Sequence, residues 1–435
     1  MAHYEKAAYV GDLSPNQLAL DDRAAAGGGP FQYPEDDVGV SKCLAGAPRQ
    51  PTPSVTGIPL KTLALIANQA YSLANFRGPL IRDVVARGHR VVALAPDFDA
   101  ASRAAVEALG AETRDYPLAR TGMNPWRDLR TVLALRRQLA QIRPDVSLGY
   151  FIKPVIYGTL AATWAGVPHR VALIAGLGYA FTDNGIPLGI RRRALQAVVS
   201  ALYRQALVRA HRVLMQNPDD VAEFTERALV APGQVLCIGG TGVDLAEWPH
   251  TPLPALPEHP VTFALAARLL REKGILEYVA AARAIKARYP HTRFLLLGGL
   301  DENPGAIARA EVESWVAEGV LEWPGHVPMQ PWLAQAHVYV LPSYREGVPR
   351  STQEAMALGR AVITTDAPGC RETVVAGHNG LLVPVRDVPA LVAAMTRFIE
   401  EPGLIDTMGR ASRRLAEERF DVRAINARIL EALGL

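Results

Sequence analysis

The chain has 435 residues, enough for two domains that each have a hydrophobic core. Its formal net charge of +3, with no basic run interleaved with aromatic residues, argues against nucleic acid as a partner. Its three cysteines lack metal-ligand spacing and no apolar run approaches the roughly 20 residues of a membrane span, so we expect a cytoplasmic protein without a signal peptide or transmembrane helix.

Residues 1–56 are rich in Gly, Pro, Ala and Asp and have no sustained hydrophobic period, which predicts a disordered extension. Apolar runs then alternate with helical patterns, at 61–67, 90–96, 145–151 and 170–176. Short apolar runs separated by helices indicate a parallel sheet covered on both faces. We therefore predict a Rossmann-like first domain over residues 57–216.

A second alternation of strands and helices follows, with apolar runs at 261–267, 293–299, 337–343 and 361–366. It predicts a second doubly wound domain over residues 217–412, and a last helix over 413–435 that returns to the first domain. The fold class is thus α/β, with two parallel-sheet domains facing across a cleft. Open sheets of this kind bind ligands at the carboxyl ends of their strands.

The segment LPSYREGVPRSTQEAMALG, residues 341–359, joins a predicted strand to a predicted helix. Free N–H groups and the positive helix end at such a junction favour an anion. Glu346 and Glu354 flank the junction, and a carboxylate accepts hydrogen bonds well from vicinal hydroxyls of a sugar. The alternative is that Glu346 caps the helix and Glu354 faces water.

Arg268 and Lys273 lie in ARLLREKG, directly after the strand at 261–267. Arginine offers a fixed fork of donors and lysine a compact charge, a combination suited to a diphosphate. Basic residues after a strand are more often solvated. The position of the Gly347 junction, at the end of another strand of the same sheet, favours a phosphate clamp.

These segments, together with APGCRETVVAGHNGLLVP (367–384), closely resemble the donor-domain signature of the family 4 glycosyltransferases, which are retaining enzymes with the two-domain GT-B fold. The resemblance extends from about residue 60 to the C-terminus. Within the family, LGGLDENPG, IAGLGYAFTDNG and TGMNPW resemble the subgroup that builds lipid-linked saccharides, including capsule and O-antigen sugar transferases.

The resemblance implies that Arg268 and Lys273 contact the donor diphosphate, that Glu354 holds the ribose, and that Glu346 holds the transferred sugar. Arg268, Lys273 and Glu346 would then be the catalytic groups. Further donor contacts are expected from the backbone near Gly347, Val348 and Pro349 to the β-phosphate, and from His326 to the base, mainly through backbone groups. No metal and no other cofactor are expected, because the cations supply the charge a divalent ion would supply.

On the acceptor side the candidates are Asn75 and Arg77 in NQAYSLANFRGP, Lys153 in GYFIKPVIYG, and Gly178 in IAGLGYAFTDNG. Several relatives place a histidine near Ile152, so an acceptor-side histidine is absent here. Lys153 either binds an acceptor diphosphate or is solvated. Gly176 and Gly178 suggest a dinucleotide fingerprint, but Phe181 stands where a small residue is needed, which disfavours a dehydrogenase.

A basic helical stretch covers residues 189–212 and carries six arginines between apolar residues: Arg191, Arg192, Arg193, Arg204, Arg209 and Arg212. It either lies on anionic lipid at the membrane or packs as an ordinary surface helix on the sheet.

The sequence thus favours a retaining enzyme that moves a hexose or N-acetylhexosamine from a nucleotide sugar, most simply a UDP-sugar, to a polyprenyl-diphosphate-linked saccharide. We place it peripherally on the inner face of the cytoplasmic membrane. The alternatives are a soluble or different lipid acceptor, and a non-catalytic protein that binds nucleotide sugars in an assembly.

Overall fold

The computed structural model describes residues 59–119, 122, 124–177, 181, 189–256, 260–301, 303 and 305–435. The predicted disordered extension, residues 1–56, lies outside the described residues. Within the described ranges, no helix combines the length and apolar character that crossing a bilayer requires.

The first domain is built on a parallel sheet of seven strands in the order β3-β2-β1-β4-β5-β6-β7. Its strands are β1 (Thr62–Ile66), β2 (Arg90–Ala95), β3 (Glu112–Asp115), β4 (Val146–Tyr150), β5 (His169–Ile174), β6 (Arg212–Met215) and β7 (Val235–Cys237). Its helices are α1 (Ala70–Ala86), α2 (Ala100–Glu107), α3 (Pro125–Ile142), α4 (Thr159–Trp164), α5 (Ile190–Leu207) and α6 (Pro218–Glu226), with a π-helical turn at Pro154–Gly158.

The second domain has a parallel sheet of six strands in the order β10-β9-β8-β11-β12-β13. Its strands are β8 (Thr262–Ala266), β9 (Arg293–Leu297), β10 (Glu322–Gly325), β11 (Val338–Leu341), β12 (Ala361–Thr365) and β13 (Gly380–Val383). Its helices are α7 (Ile275–Arg288), α8 (Arg309–Ala317), α9 (Met329–Leu333), α10 (Arg350–Ala357), α11 (Val388–Glu400) and α12 (Gly403–Arg419), and α13 (Val422–Leu433) ends the chain.

The strands form where the sequence is continuously apolar because both faces of each sheet are covered by helices. Each domain consequently has two core clusters, one on each face of its sheet. Two edge strands are exceptions: β3, with the sequence ETRD, and β10, with the sequence EWPG, are both partly exposed. The predicted pair of doubly wound domains is confirmed.

Each sheet has one point where the strand order reverses, between β1 and β4 in the first domain and between β8 and β11 in the second. Connections leave this point towards opposite faces of the sheet, which opens a crevice at the carboxyl ends of the strands. Arg268 follows β8, and Tyr150 ends β4. The candidate residues of both domains therefore lie around these two crevices.

The structure differs from the sequence prediction at two domain boundaries. The expected boundary between residues 216 and 217 falls inside the first domain, because β7 pairs with β6 in the first sheet. The expected last helix over 413–435 is two helices. It breaks at Phe420, whose carbonyl accepts a hydrogen bond from Val243 N in the linker between the domains (2.8 Å). Only α13 returns to the first domain, where Ile425 and Ile429 join its core.

Candidate active site

Lys273 ends a 3₁₀ turn, Arg271–Lys273, that follows β8. The next residue, Gly274, has a φ of 70°, and a Cβ there would overlap the carbonyl oxygen of Pro342 at the end of β11. Glycine is therefore required for the turn to approach β11. This approach places Lys273 Nζ 2.6 Å from Glu346 Oε1, and only 17% and 14% of the two side chains are exposed.

Arg268 lies at the carboxyl end of β8 and its guanidinium reaches the opening of the cleft. Its Nη1 is 2.8 Å from Asp301 Oδ2, and 57% of its side chain remains exposed. The ion pair restrains the guanidinium without burying it. Arg268 can consequently meet an anionic ligand with its remaining donors.

The loop from Glu346 to Arg350 sits against the first domain. A Cβ on Gly347 would collide with Gln216 and lie 2.8 Å from the carbonyl oxygen of Ala175. The N–H of Val348 donates to Gln216 Oε1 (3.1 Å), and Pro349 has no N–H. The expected hydrogen bonds from Val348 and Pro349 to a β-phosphate are thus not available in this arrangement, which leaves Gly347 and the first turn of α10 to provide them.

Glu354 lies in α10 and its Oε1 accepts a hydrogen bond from Arg350 Nε (2.8 Å). Burial raises the pKa of Glu354, and Arg350 opposes this shift only in part. The alternative in which Glu354 faces water is wrong, because only 12% of its side chain is exposed. The helix-cap alternative for Glu346 is also wrong, since Pro349 occupies the N-cap of α10.

A pocket of about 470 Å³ opens at the carboxyl ends of β9 and β10. It is lined by Gly299, Leu300, Arg309, Trp323, Pro324, Gly325 and His326. Trp323 is fixed by a hydrogen bond from Nε1 to the carbonyl oxygen of Gly298 (2.9 Å). The pocket adjoins Asp301, the partner of Arg268. A partly aromatic pocket next to a cation is suited to the base of a nucleotide whose phosphates contact that cation.

On the opposite wall of the cleft, two residues of α1 lie close to the second domain. The carbonyl oxygen of Asn75 accepts a hydrogen bond from Arg350, and the Tyr71 ring is 6.1 Å from the His326 ring. Arg77 is 2% exposed, and its guanidinium carbon lies 5.3 Å from the centroid of the Tyr150 ring. Asn75, Arg77 and His326 therefore border the same cleft as the donor-side residues.

Lys153 is held inside the first domain. Its Nζ donates to the carbonyl oxygen of Ala119 (2.6 Å) and lies 3.3 Å from Asp128 Oδ1. The expectation of a solvated lysine is wrong, and the contact with an acceptor diphosphate stays a prediction. Gly178 lies outside the described residues.

Comparison with known proteins agrees with the sheet order and the cleft geometry. The model of the family described as "Glycosyl transferases group 1" matches residues 260–401, and that of the "Glycosyl transferase 4-like domain" matches residues 75–240. This chain belongs to the family 4 glycosyltransferases.

The glycosyltransferase is 26% identical, over 79% of its chain and 90% of the relative, to the N,N'-diacetylbacillosaminyl-diphospho-undecaprenol α-1,3-N-acetylgalactosaminyltransferase of Campylobacter jejuni. Among solved structures it resembles sucrose-phosphate synthase from Thermosynechococcus elongatus, with a TM-score of 0.70, 20% identity and coverage of 85% and 98% of the two chains. It also resembles Anabaena HepE in complex with UDP, with a TM-score of 0.65, 18% identity and coverage of 86% and 100%. These neighbours confirm the GT-B fold.

The basic stretch of the glycosyltransferase is only partly available to a membrane. Val199, Tyr203 and Ala206 of α5 are buried in the core of the first domain. Arg204 and Arg212 donate to backbone carbonyl oxygens, and Arg193 is exposed. The side chains of Arg191 and Arg192 lie outside the description. The buried apolar residues of α5 pack in the core of the first domain and are not available to lipid. Lipid contact through this helix therefore remains a prediction that rests on its arginine side chains.

Four residues of the site were missed from sequence alone: Gln216, Asp301, Arg345 and Arg350. Gln216 directly precedes Asn217, whose side chain caps α6 by accepting from Asp220 N (2.8 Å). The run Asn-Pro-Asp-Asp is a recognisable helix start and marks this position. Arg350 and Glu354 are four residues apart on one helix, a spacing that could have indicated their pair. The contacts of Asp301 and Arg345 join different strands or domains, for which the sequence carries no local signal. Among the described residues no cluster of three or more His, Cys, Asp or Glu side chains could hold a metal.

Proposed function

We propose that this glycosyltransferase transfers a hexosyl or N-acetylhexosaminyl group from a UDP-sugar to a saccharide linked to a polyprenyl diphosphate. The named activity of the Campylobacter jejuni relative and the UDP bound by Anabaena HepE support this substrate pair. We also propose that it acts peripherally at the inner face of the cytoplasmic membrane, because the substrate named for that relative is linked to undecaprenol, a membrane lipid.

The single observation that carries the donor side is the pairing of Lys273 with Glu346 at 2.6 Å, beside the exposed guanidinium of Arg268. Glu346 fixes the Lys273 ammonium in a largely buried position, where its charge acts more strongly than it would in water. Arg268 adds a second cation at the edge of the cleft. We infer that the two cations bind the donor diphosphate and that Glu346 also accepts from hydroxyls of the transferred sugar.

The reaction follows from this placement of charge. The bond between the anomeric carbon and the β-phosphate oxygen breaks, and the electron pair stays on the phosphate, where Lys273 and Arg268 stabilise it. The acceptor hydroxyl attacks the same face of the anomeric carbon, and its proton passes to the leaving phosphate oxygen. The configuration is retained, and because the cations are part of the chain we propose that no metal is needed.

The recognition of UDP is assigned to two regions. Glu354, buried and oriented by Arg350, accepts hydrogen bonds from the ribose hydroxyls. The pocket lined by Gly299 and His326 holds the base, mainly through backbone groups. With the ribose at Glu354 and the base in this pocket, we propose that the diphosphate lies next to Arg268.

The test is a panel of nucleotide sugars: UDP-Glc, UDP-Gal, UDP-GlcNAc, UDP-GalNAc and GDP-Man. Each is incubated with the protein, and released nucleotide is measured with and without a polyprenyl-diphosphate saccharide, in the presence and absence of EDTA. We expect release from a single UDP-sugar that rises with acceptor and is indifferent to EDTA.

Lys273→Ala tests the donor clamp in the same assay and should release much less nucleotide. Its matched control is Lys286→Ala, which removes a lysine from the last turn of α7, away from the cleft. It should retain the wild-type rate in the same assay. Release that EDTA abolishes would overturn metal independence. No turnover with any donor, with wild-type protein shown to be folded, would overturn the proposed function.

A further inference from the structure

The side chain of Arg77 is a buried cation that pairs with no carboxylate among the described residues. It differs from the buried Arg360, which donates to four backbone carbonyl oxygens. Arg77 is 2% exposed and its Nε has no hydrogen-bond partner. Among the described residues its one close polarisable neighbour is the Tyr150 ring, 5.3 Å away. A buried charge that nothing compensates costs several kcal/mol. A buried Arg77 therefore calls for an anion that the described part of the chain does not supply.

The charges around Arg77 increase this deficit. Arg350 of the second domain is near enough to lower the pKa of Arg77, which burial alone already lowers, to about 10. The carboxylate in this region, Glu354, is already paired with Arg350. Glu354 is therefore paired with Arg350 and not with Arg77, and the like charge of Arg350 makes burial of the Arg77 cation less favourable.

Two further anomalies lie in the same crevice, at the reversal of strand order between β1 and β4. Asn68 follows β1, and its Oδ1 is buried without a hydrogen-bond partner. Phe151 follows β4 and has a φ of 70°, a strained value for a bulky residue that persists where the surrounding structure imposes it. Unsatisfied polar atoms and strained backbone concentrate at ligand sites.

We propose that Arg77 is the anchor of an anion subsite at the strand reversal of the first domain, and that it binds a phosphate oxyanion of a substrate while Asn68 accepts from a neighbouring hydroxyl. The proposal rests on the transferase function inferred above. A phosphate group satisfies the donors of Arg77, and a sugar hydroxyl satisfies Asn68 Oδ1. Such an arrangement fits a sugar carried on a diphosphate.

The phosphate can come from two sources, the acceptor diphosphate or the donor diphosphate. Three readouts distinguish them: the KM for a polyprenyl-diphosphate saccharide, the KM for the same saccharide on a neutral alkyl glycoside, and the Kd for UDP. The variants are Arg77→Met and Arg77→Lys, and the control is Arg87→Met, which removes an exposed arginine at the other end of α1.

If the acceptor supplies the phosphate, Arg77→Met raises the KM for the diphosphate acceptor at least tenfold and leaves the neutral acceptor and UDP unchanged. If the donor supplies it, the Kd for UDP rises at least tenfold and the ratio of the two acceptor KM values stays constant. Arg77→Lys should recover part of either loss, because it restores the charge without the fork. Wild-type values in all three readouts would overturn the subsite.

A thermal-unfolding measurement separates ligand binding from a structural role. Methionine matches the length of the arginine stem and removes the uncompensated charge, so the ligand-free Arg77→Met protein should melt at or above the wild-type temperature. A clearly lower melting temperature would show that Arg77 stabilises the fold itself, and would overturn the proposal.

Inorganic pyrophosphate provides a test that needs no turnover. It should raise the melting temperature of the wild type and of Arg87→Met more than that of Arg77→Met. This result can be obtained even if no sugar is transferred, so failure of the subsite and failure of the proposed function are distinguishable. Equal shifts in all three proteins would count against the subsite.

Discussion

Two buried arginines border the cleft of this glycosyltransferase, and their surroundings are opposite. Arg345, in the second domain, lies 2.6 Å from Asp220 Oδ1 and 2.7 Å from Glu223 Oε2, both carried by α6 of the first domain. Arg77, in the first domain, has no carboxylate partner among the described residues. The residue type is the same, and both guanidinium groups are largely withdrawn from water.

The difference indicates that Arg345 has a structural role and Arg77 a ligand-binding role. Arg345 directly precedes Glu346, so its pairs with α6 fix the loop that carries Glu346 against the first domain. Asn217 adds a hydrogen bond from Nδ2 to the carbonyl oxygen of Gly347 (2.6 Å). Arg345 therefore fixes the Glu346 loop through carboxylates of the chain itself, whereas we propose that the partner of Arg77 is an anion of a substrate. Substitutions at these groups should therefore change stability or ligand binding, and both can be measured.

The largest effect should come from unpairing Arg345. Asp220→Ala combined with Glu223→Ala leaves the guanidinium without either carboxylate partner, and an uncompensated buried charge costs about 3–5 kcal/mol. Denaturant unfolding measures this loss. The control is Asp219→Ala, which removes a partly exposed carboxylate from Arg371 (2.7 Å) and should cost about 1 kcal/mol or less. Equal losses for the two variants would contradict the structural role of Arg345.

The next largest effect is expected at Lys273, whose ammonium group is positioned by its ion pair with Glu346. Lys273→Ala should lower the turnover number about 100- to 1000-fold, because it removes a positioned charge from the leaving diphosphate. Steady-state kinetics with the preferred UDP-sugar measure this change, with Lys286→Ala as control. Turnover within twofold of the wild type would show that the donor clamp does not depend on Lys273.

The fold could be predicted from sequence because its signals are local. Runs such as VTFALAA and RFLLLGG are long enough, and bounded clearly enough, to mark β8 and β9 within a residue or two. The strand β7 was missed since its three residues, Val235–Cys237, are too short and too little apolar to stand out. The boundary at residue 217 was misplaced for the same reason.

The candidate site was predictable for groups that follow a strand or that belong to the sequence motifs around Lys273 and Gly347. Arg268 and Glu346 follow β8 and β11, so their approach to each other comes from the sheet order alone. The contacts that hold the Glu346 loop against the first domain were not predictable. The contacts of Gln216 with Val348, and of Asp220 with Arg345, join residues more than 120 positions apart, and they depend on how the two domains dock.

A smaller effect is expected at Glu354. Glu354→Gln should weaken the binding free energy of UDP by about 1.5–3 kcal/mol, the usual contribution of a hydrogen bond to a charged group. Isothermal titration measures this shift, with inorganic pyrophosphate as a ligand that lacks the ribose. Pyrophosphate affinity should fall much less than UDP affinity. A variant that weakens both ligands equally would place Glu354 at the phosphates rather than at the ribose.

The smallest effect is a pH dependence that also arises at Glu354. Because burial raises its pKa in the folded state, the folded protein retains this proton at a pH where the unfolded chain, with an ordinary value of about 4.3, has lost it. The free energy of unfolding contributed by Glu354 is therefore highest below about pH 4.3 and falls as pH rises through the folded-state value. Glu354→Gln removes this dependence.

Urea unfolding of the wild type and of Glu354→Gln between pH 4 and pH 8 measures the difference, which should grow with pH and then level off. Arg350→Met sharpens the test, because Arg350 holds the Glu354 carboxylate in its charged form through the contact at 2.8 Å. Without Arg350 the fall should extend to higher pH. A difference that is flat across the range would mean that Arg350 offsets the effect of burial in full, so that the pKa of Glu354 is the same in the folded and the unfolded protein.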